Sequence, residues 1–197
     1  MATPRPYQPL LLRLLHGING LLVLGALATG FWVYDTYDGR FGRLALPTLA
    51  DIQGVHGTIA LTFLLFFPLF AIYSFHWGQK RLIQPDSLKQ LARISQPIGW
   101  ISLQRLVNTL ILIASVLALI SGRLMKEEWL PRGELYHAAY SAHLMAWLTM
   151  AVCLLLHILM AARVGGLPLL LSIVDTKTRP SDPLVQAMGR LRRSKGD

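Results

Sequence analysis

The sequence predicts an all-α integral membrane protein, a four-helix bundle with both termini cytoplasmic. Three observations lead there. The 197 residues are 53% hydrophobic and only 15% charged, with a mean hydropathy of +0.46, more apolar surface than one soluble core can hold. Four apolar runs, Leu14 to Tyr34, Val55 to Phe75, Ile101 to Leu124 and Ala138 to Val164, can each cross a bilayer core at about 1.5 Å per residue. In lipid every backbone polar group must be satisfied internally, which makes runs of this kind helices. The third observation is where the charge falls.

The net charge is +9. The amino-terminal tail carries Arg5 and Arg13 (+2), and the second connection carries Lys80, Arg81, Lys89, Arg93 and Arg105 against Asp86 (+4). From Arg163 onward seven bases face three acids (+4). The first connection has Arg40 and Arg43 against Asp35, Asp38 and Asp51 (−1), and the third is neutral. All of the positive excess lies on one side of a four-span chain, which by the positive-inside rule is the cytoplasmic side. The charge therefore reads as topology and as contact with membrane lipid, with no nucleic-acid partner implied. The expected location is a bacterial inner membrane, or a thylakoid membrane in a phototroph.

Residues 1–9, with three prolines, read as an irregular tail. Residues 10–175 make one four-helix domain, and 176–197 a basic tail. The first span opens with Arg13 and His16 one turn apart and carries Gly17, Gly20, Gly25 and Gly30, small residues that let helices or a flat cofactor approach. Ala26-Leu27-Ala28 resembles a cleavage site, but the apolar run continues past it, so a retained helix is expected. A loop holding Gly39, Gly42 and Pro47 leads to His56 at the start of the second span, which ends at His76 and Trp77. A basic connection interrupted by Pro85 and Pro97 follows.

The third span opens with Gln104, Arg105 and Asn108 and holds no histidine. Gln104 and Asn108 share a face, where they could hydrogen-bond a quinone carbonyl or, equally, neighbouring helices or interfacial water. The fourth span carries His143 and His157, and Gly165, Gly166 and Pro168 are expected to stop it. Leu169 to Val174 would lie along the surface, with a tail helix starting at Asp182-Pro183. Cys153 is the only cysteine, which leaves no disulfide and no Cys-x-x-Cys-His for covalent haem attachment.

His143 and His157 are fourteen residues apart, close to four helical turns, so both rings leave one face roughly 21 Å apart along the axis. They therefore belong to two sites. Because successive helices alternate in direction, His16 shares the inner level with His157, and His56 shares the outer level with His143. Each pair can clamp one haem iron between two imidazoles, giving a six-coordinate electron carrier without an open position. Buried, hydrogen-bonded histidines are the alternative, but four falling into two matched pairs favour haem. Zinc is disfavoured because the pairs lie too far apart to share a metal and lack thiolate or carboxylate partners. Arg13 and Arg163 are candidates to neutralise haem propionates.

Arg13-x-x-His16 on a glycine-bearing helix, His56 opening the second, Gln104-Arg105 opening the third and Ser121-Gly122 ending it form a pattern. It continues with His143 and His157 followed by Ile158 and Ala161-Ala162. Over about residues 10–175 this resembles the di-haem b-type cytochrome superfamily. That group includes formate dehydrogenase gamma subunits, cytochrome b subunits of nickel-iron hydrogenases and bacterial cytochrome b561. The resemblance implies two non-covalent haem b groups, with one ligand each from the first and second helices and two from the fourth. It also implies quinone chemistry near His157, Gln104 and Asn108, and electron transfer to a redox partner protein or within a larger membrane complex. The polar tail departs from the formate dehydrogenase subunit, and the chain lacks the paired histidines on two helices of a cytochrome bc core. Two rivals share the ligation: a stand-alone quinol oxidoreductase acting on a small oxidant such as superoxide, and a haem-bearing accessory subunit. Turnover of quinol without a partner separates them.

Overall fold

The computed structural model describes residues 7–175 and 177–187, and most of the expected tail helix lies outside them. Every long apolar run is a helix: α1 (Leu10–Tyr37), α2 (Ile52–His76), α4 (Pro97–Leu124) and α5 (Ala138–Leu171). All four are long and apolar enough to span a membrane. Each extends past the run that announced it, because polar residues at a helix end can reach the interface. Among the described residues there is no strand.

Local signals account for the boundaries. Asp51 caps α2 by accepting a hydrogen bond from the Gly54 amide at 3.0 Å, and Pro97 occupies the first turn of α4, where a missing N–H costs nothing. The connection between α2 and α4 contains a short 3₁₀ turn at Gln79–Arg81 and the five-residue α3 (Ser87–Leu91), neither of which the sequence announced. Gly165, Gly166 and Pro168 were expected to end the last span; instead the backbone breaks at Gly166 (φ 64°, ψ −170°) and helical turns resume to Leu171. Glycine enters this left-handed region freely, and Pro168 fits the first turn of the resumed segment.

The bundle is two hairpins. α1 packs mainly on α2, and α4 mainly on α5. Val23, Phe63, Phe67, Leu112 and Met150 join the hairpins at mid-height, and Val33, Ile52, Leu130 and Tyr140 do so at the end away from the termini. There Asp38 accepts hydrogen bonds from Tyr140 Oη at 2.7 Å and Arg40 Nε at 2.8 Å, while Arg40 also donates to the Leu135 carbonyl. Burial pushes the Asp38 carboxyl up, but the Arg40 and Tyr140 hydrogen bonds outweigh it and hold the group below its ordinary value.

At the opposite end the chain after α5 folds back onto the start of α1. The Asp182 carboxylate accepts from Tyr7 Oη at 2.9 Å, the Leu10 amide at 2.7 Å and the Leu184 amide at 3.1 Å, so it caps both α1 and the helical turn at 183–187. The Arg179 guanidinium lies 4.2 Å from the centre of the Tyr7 ring.

Candidate haem-binding pairs

The seam between the hairpins is where the four histidines meet. His16 on α1 faces His157 on α5, with ring centres 6.0 Å apart; His56 on α2 faces His143 on α5 at 6.1 Å. Two imidazoles ligating one metal through bonds of about 2 Å put their ring centres about 6 Å apart. The separation is too wide for a hydrogen bond between the rings and matches a metal between them.

Hydrogen bonds fix which ring nitrogen is free. His143 Nδ1 lies 3.0 Å from the Ala118 carbonyl, which can only accept, so this nitrogen carries the proton. Ser121 Oγ, 3.1 Å from the same nitrogen, already donates to Leu117. His56 Nδ1 donates to Thr29 Oγ1 at 3.0 Å, because that hydroxyl donates to the Gly25 carbonyl. His157 Nδ1 donates to Asn108 Oδ1 at 2.8 Å, and the amide's orientation follows from its Nδ2 donating to the Arg81 carbonyl. In three of the four rings Nε2 is left with its lone pair, the form a metal ligand needs, and the partner on the other nitrogen holds the ring in place. Each of these partners comes from the histidine's own hairpin, so the free nitrogens point across the seam.

Small residues make room. A Cβ on Gly30 would stand 3.1 Å from His56 Cε1 and 3.2 Å from Trp147, and one on Gly122 would stand 3.1 Å from His143 Cε1. The outer-level pair borders an apolar cavity lined by Ala26, Ala60, Phe63, Ala118 and Trp147. At the other level Arg13 is 6% exposed and its Nε is buried without a partner, one turn from His16. An anionic group such as a propionate suits that donor. The rest of its guanidinium is committed to the main-chain carbonyls of Asp175 and Lys177, contacts made across more than 160 residues that the sequence did not reveal. The Arg163 guanidinium lies 5.8 Å from the Trp100 ring centre.

Of the two readings open for Asn108, the structure shows the second: its amide is occupied by His157 and Arg81. Gln104, one turn earlier, is half-buried and has no hydrogen-bond partner among the described residues. His76 is exposed beside Trp77, and His137 stacks on Trp129 at 3.7 Å, so neither joins a pair. Thr29 and Asn19 were missed, although each is an isolated polar side chain in an otherwise apolar stretch. No cluster of three or more histidine, cysteine or acidic residues occurs among the described residues. Two imidazoles per pair would suit an iron that brings four porphyrin nitrogens and would leave zinc under-coordinated.

A membrane bundle with facing imidazoles in its seam has the build of a b-type cytochrome. The chain belongs to the prokaryotic cytochrome b561 family, whose model matches residues 7–174. It is an integral membrane protein of a haem b electron-transfer family. No curated protein and no solved structure matches it.

Proposed function

We propose that the chain carries electrons across the membrane through two haem b groups, one held by His16 and His157 and one by His56 and His143, and couples a quinone to a redox partner. One observation carries this reading: both pairs face each other across the hairpin seam, with ring centres 6.0 and 6.1 Å apart, a separation at which two imidazoles could hold one metal, and with Nδ1 engaged on three rings. A haem b with two imidazole ligands cycles one electron at iron and has no position open to oxygen.

The chain's own residues do the rest. Asn108, Thr29, Ser121 and the Ala118 carbonyl keep the Nδ1 protons in place and aim Nε2, so little rearrangement accompanies a change of redox state. The two levels, fourteen residues apart on α5, span the apolar core in a single relay. Arg13 Nε would offer a donor to a carboxylate of a bound haem, and Gln104 would offer its amide to a quinone carbonyl. The basic residues gathered at the end bearing both termini support a cytoplasmic placement in a bacterial inner membrane.

The test is a haem count and spectrum on purified protein. Two low-spin b haems per chain are expected, falling to one in His157→Ala and in His56→Ala, and reduction by a quinol is expected without dithionite. A folded wild-type protein with fewer than two haems, or two haems surviving His157→Ala, would overturn the assignment.

A further inference from the structure

On α1, from Gly17 through Ala28, Asn19 is the only polar side chain. It lies one turn beyond His16, on the face that continues to Val23 in the core. It is 4% exposed. Its Nδ2 donates to the Leu15 carbonyl of its own helix at 2.8 Å, while Oδ1 is buried with no partner. Arg13 Nε is the other such atom among the described residues, and the two residues bracket His16 by one turn on either side. Arg13 offers a donor. Asn19 offers an acceptor, on the side facing the middle of the bundle.

A buried acceptor without a donor is costly in an apolar span, and polar side chains kept there usually have a functional role. Helical side chains lean toward the amino terminus, so the carboxamide leans back toward the turn that carries His16. With the amide's positive end tied to Leu15, its negative end is left in surroundings of low dielectric, where a fixed dipole acts strongly. Reduction of the site brings in one electron, from quinol or partner, and no atom, so the charge at the centre falls by one. A negative dipole end nearby favours the more positive, oxidised state.

We propose that Asn19 is a positioning residue for the redox reaction, lowering the reduction potential of the His16/His157 site and leaving the His56/His143 site unaffected. The proposal rests on the di-haem reading above. The experiment is a redox titration of purified protein followed in the visible spectrum, with Asn19→Leu placed in two single-site backgrounds. In His56→Ala, which leaves the His16/His157 site, Asn19→Leu should make reduction about tenfold more favourable, an upward shift of about 59 mV for one electron. In His157→Ala the remaining potential should not move. Asn19→Ala, which removes the amide without bulk, should reproduce the shift where leucine disturbs packing, and Asn19→Thr, which keeps an oxygen, should shift less than either. An unmoved potential at full haem occupancy, or an equal shift in both backgrounds, overturns the role of Asn19. A haem count below two in the wild type overturns the di-haem reading instead, and is seen before any potential is measured.

Discussion

Asn108 Oδ1 stands 2.8 Å from His157 Nδ1, and the same amide reaches the Arg81 carbonyl at 2.9 Å through its Nδ2. One side chain thus ties a ring on α5 to the connection that precedes α4. Asn108→Leu removes the acceptor while keeping the volume. Loss of such a partner typically costs about 10–100-fold in metal affinity. We expect haem at the His16/His157 site to fall to partial occupancy while the other site stays full, as read by pyridine haemochromogen titration. Full occupancy of both sites would show that the contact is dispensable.

A Cβ on Gly30 or Gly122 would crowd the ring of His56 or His143 at 3.1 Å, so a larger residue there requires the ring to shift. Gly30→Val should push the His56 ring aside and lose one haem of two, with the His16/His157 spectrum retained. Gly25→Ala is the control, since a Cβ there meets only Ile59 at 3.5 Å, and it should retain both haems.

The planes of His56 and His143 cross at 84°, and those of His16 and His157 at 29°. Crossed axial imidazoles leave the two π-type iron d orbitals nearly equal in energy, whereas near-parallel ones split them. The ferric protein should therefore give two low-spin resonance signals, one highly anisotropic and one of ordinary rhombic form. His143→Ala should remove the anisotropic signal. A single signal accounting for all the iron would contradict the observed ring geometry.

Asp38 is held below its ordinary value of 3.8. A carboxyl with a depressed folded value contributes stability that is complete above its unfolded value and is lost as pH falls through the folded one. Thermal stability should therefore be insensitive to this group above pH about 4 and fall below it. Asp38→Asn should lower the melting temperature at pH 7 and flatten the acid limb, as measured by circular dichroism in detergent. An unchanged acid limb would assign that loss to other groups.

The spans were legible because lipid imposes one pattern, a long apolar run, and leaves few alternatives. Which histidines meet was legible too, since alternating helix direction and the spacing of His143 and His157 restrict their levels. The partners of those histidines were not. Asn108 could serve a ligand or a neighbour on the same chemistry, and only its proximity to His157 and Arg81 decides between them. The reach of Arg13 to Asp175 and Lys177 depends on a segment folding back from the far end of the chain. Thr29 and Asn19 carried a signal, isolated polarity within an apolar run, whose meaning appears once the facing helix is known.

The seam between the hairpins has a consequence for biogenesis. Each histidine pair draws one imidazole from either side of it, so a porphyrin held as proposed would rivet together two halves that the membrane can accept separately. In cells starved of haem the newly made polypeptide should gape along this line and fall to membrane proteases, making its abundance a readout of cofactor supply.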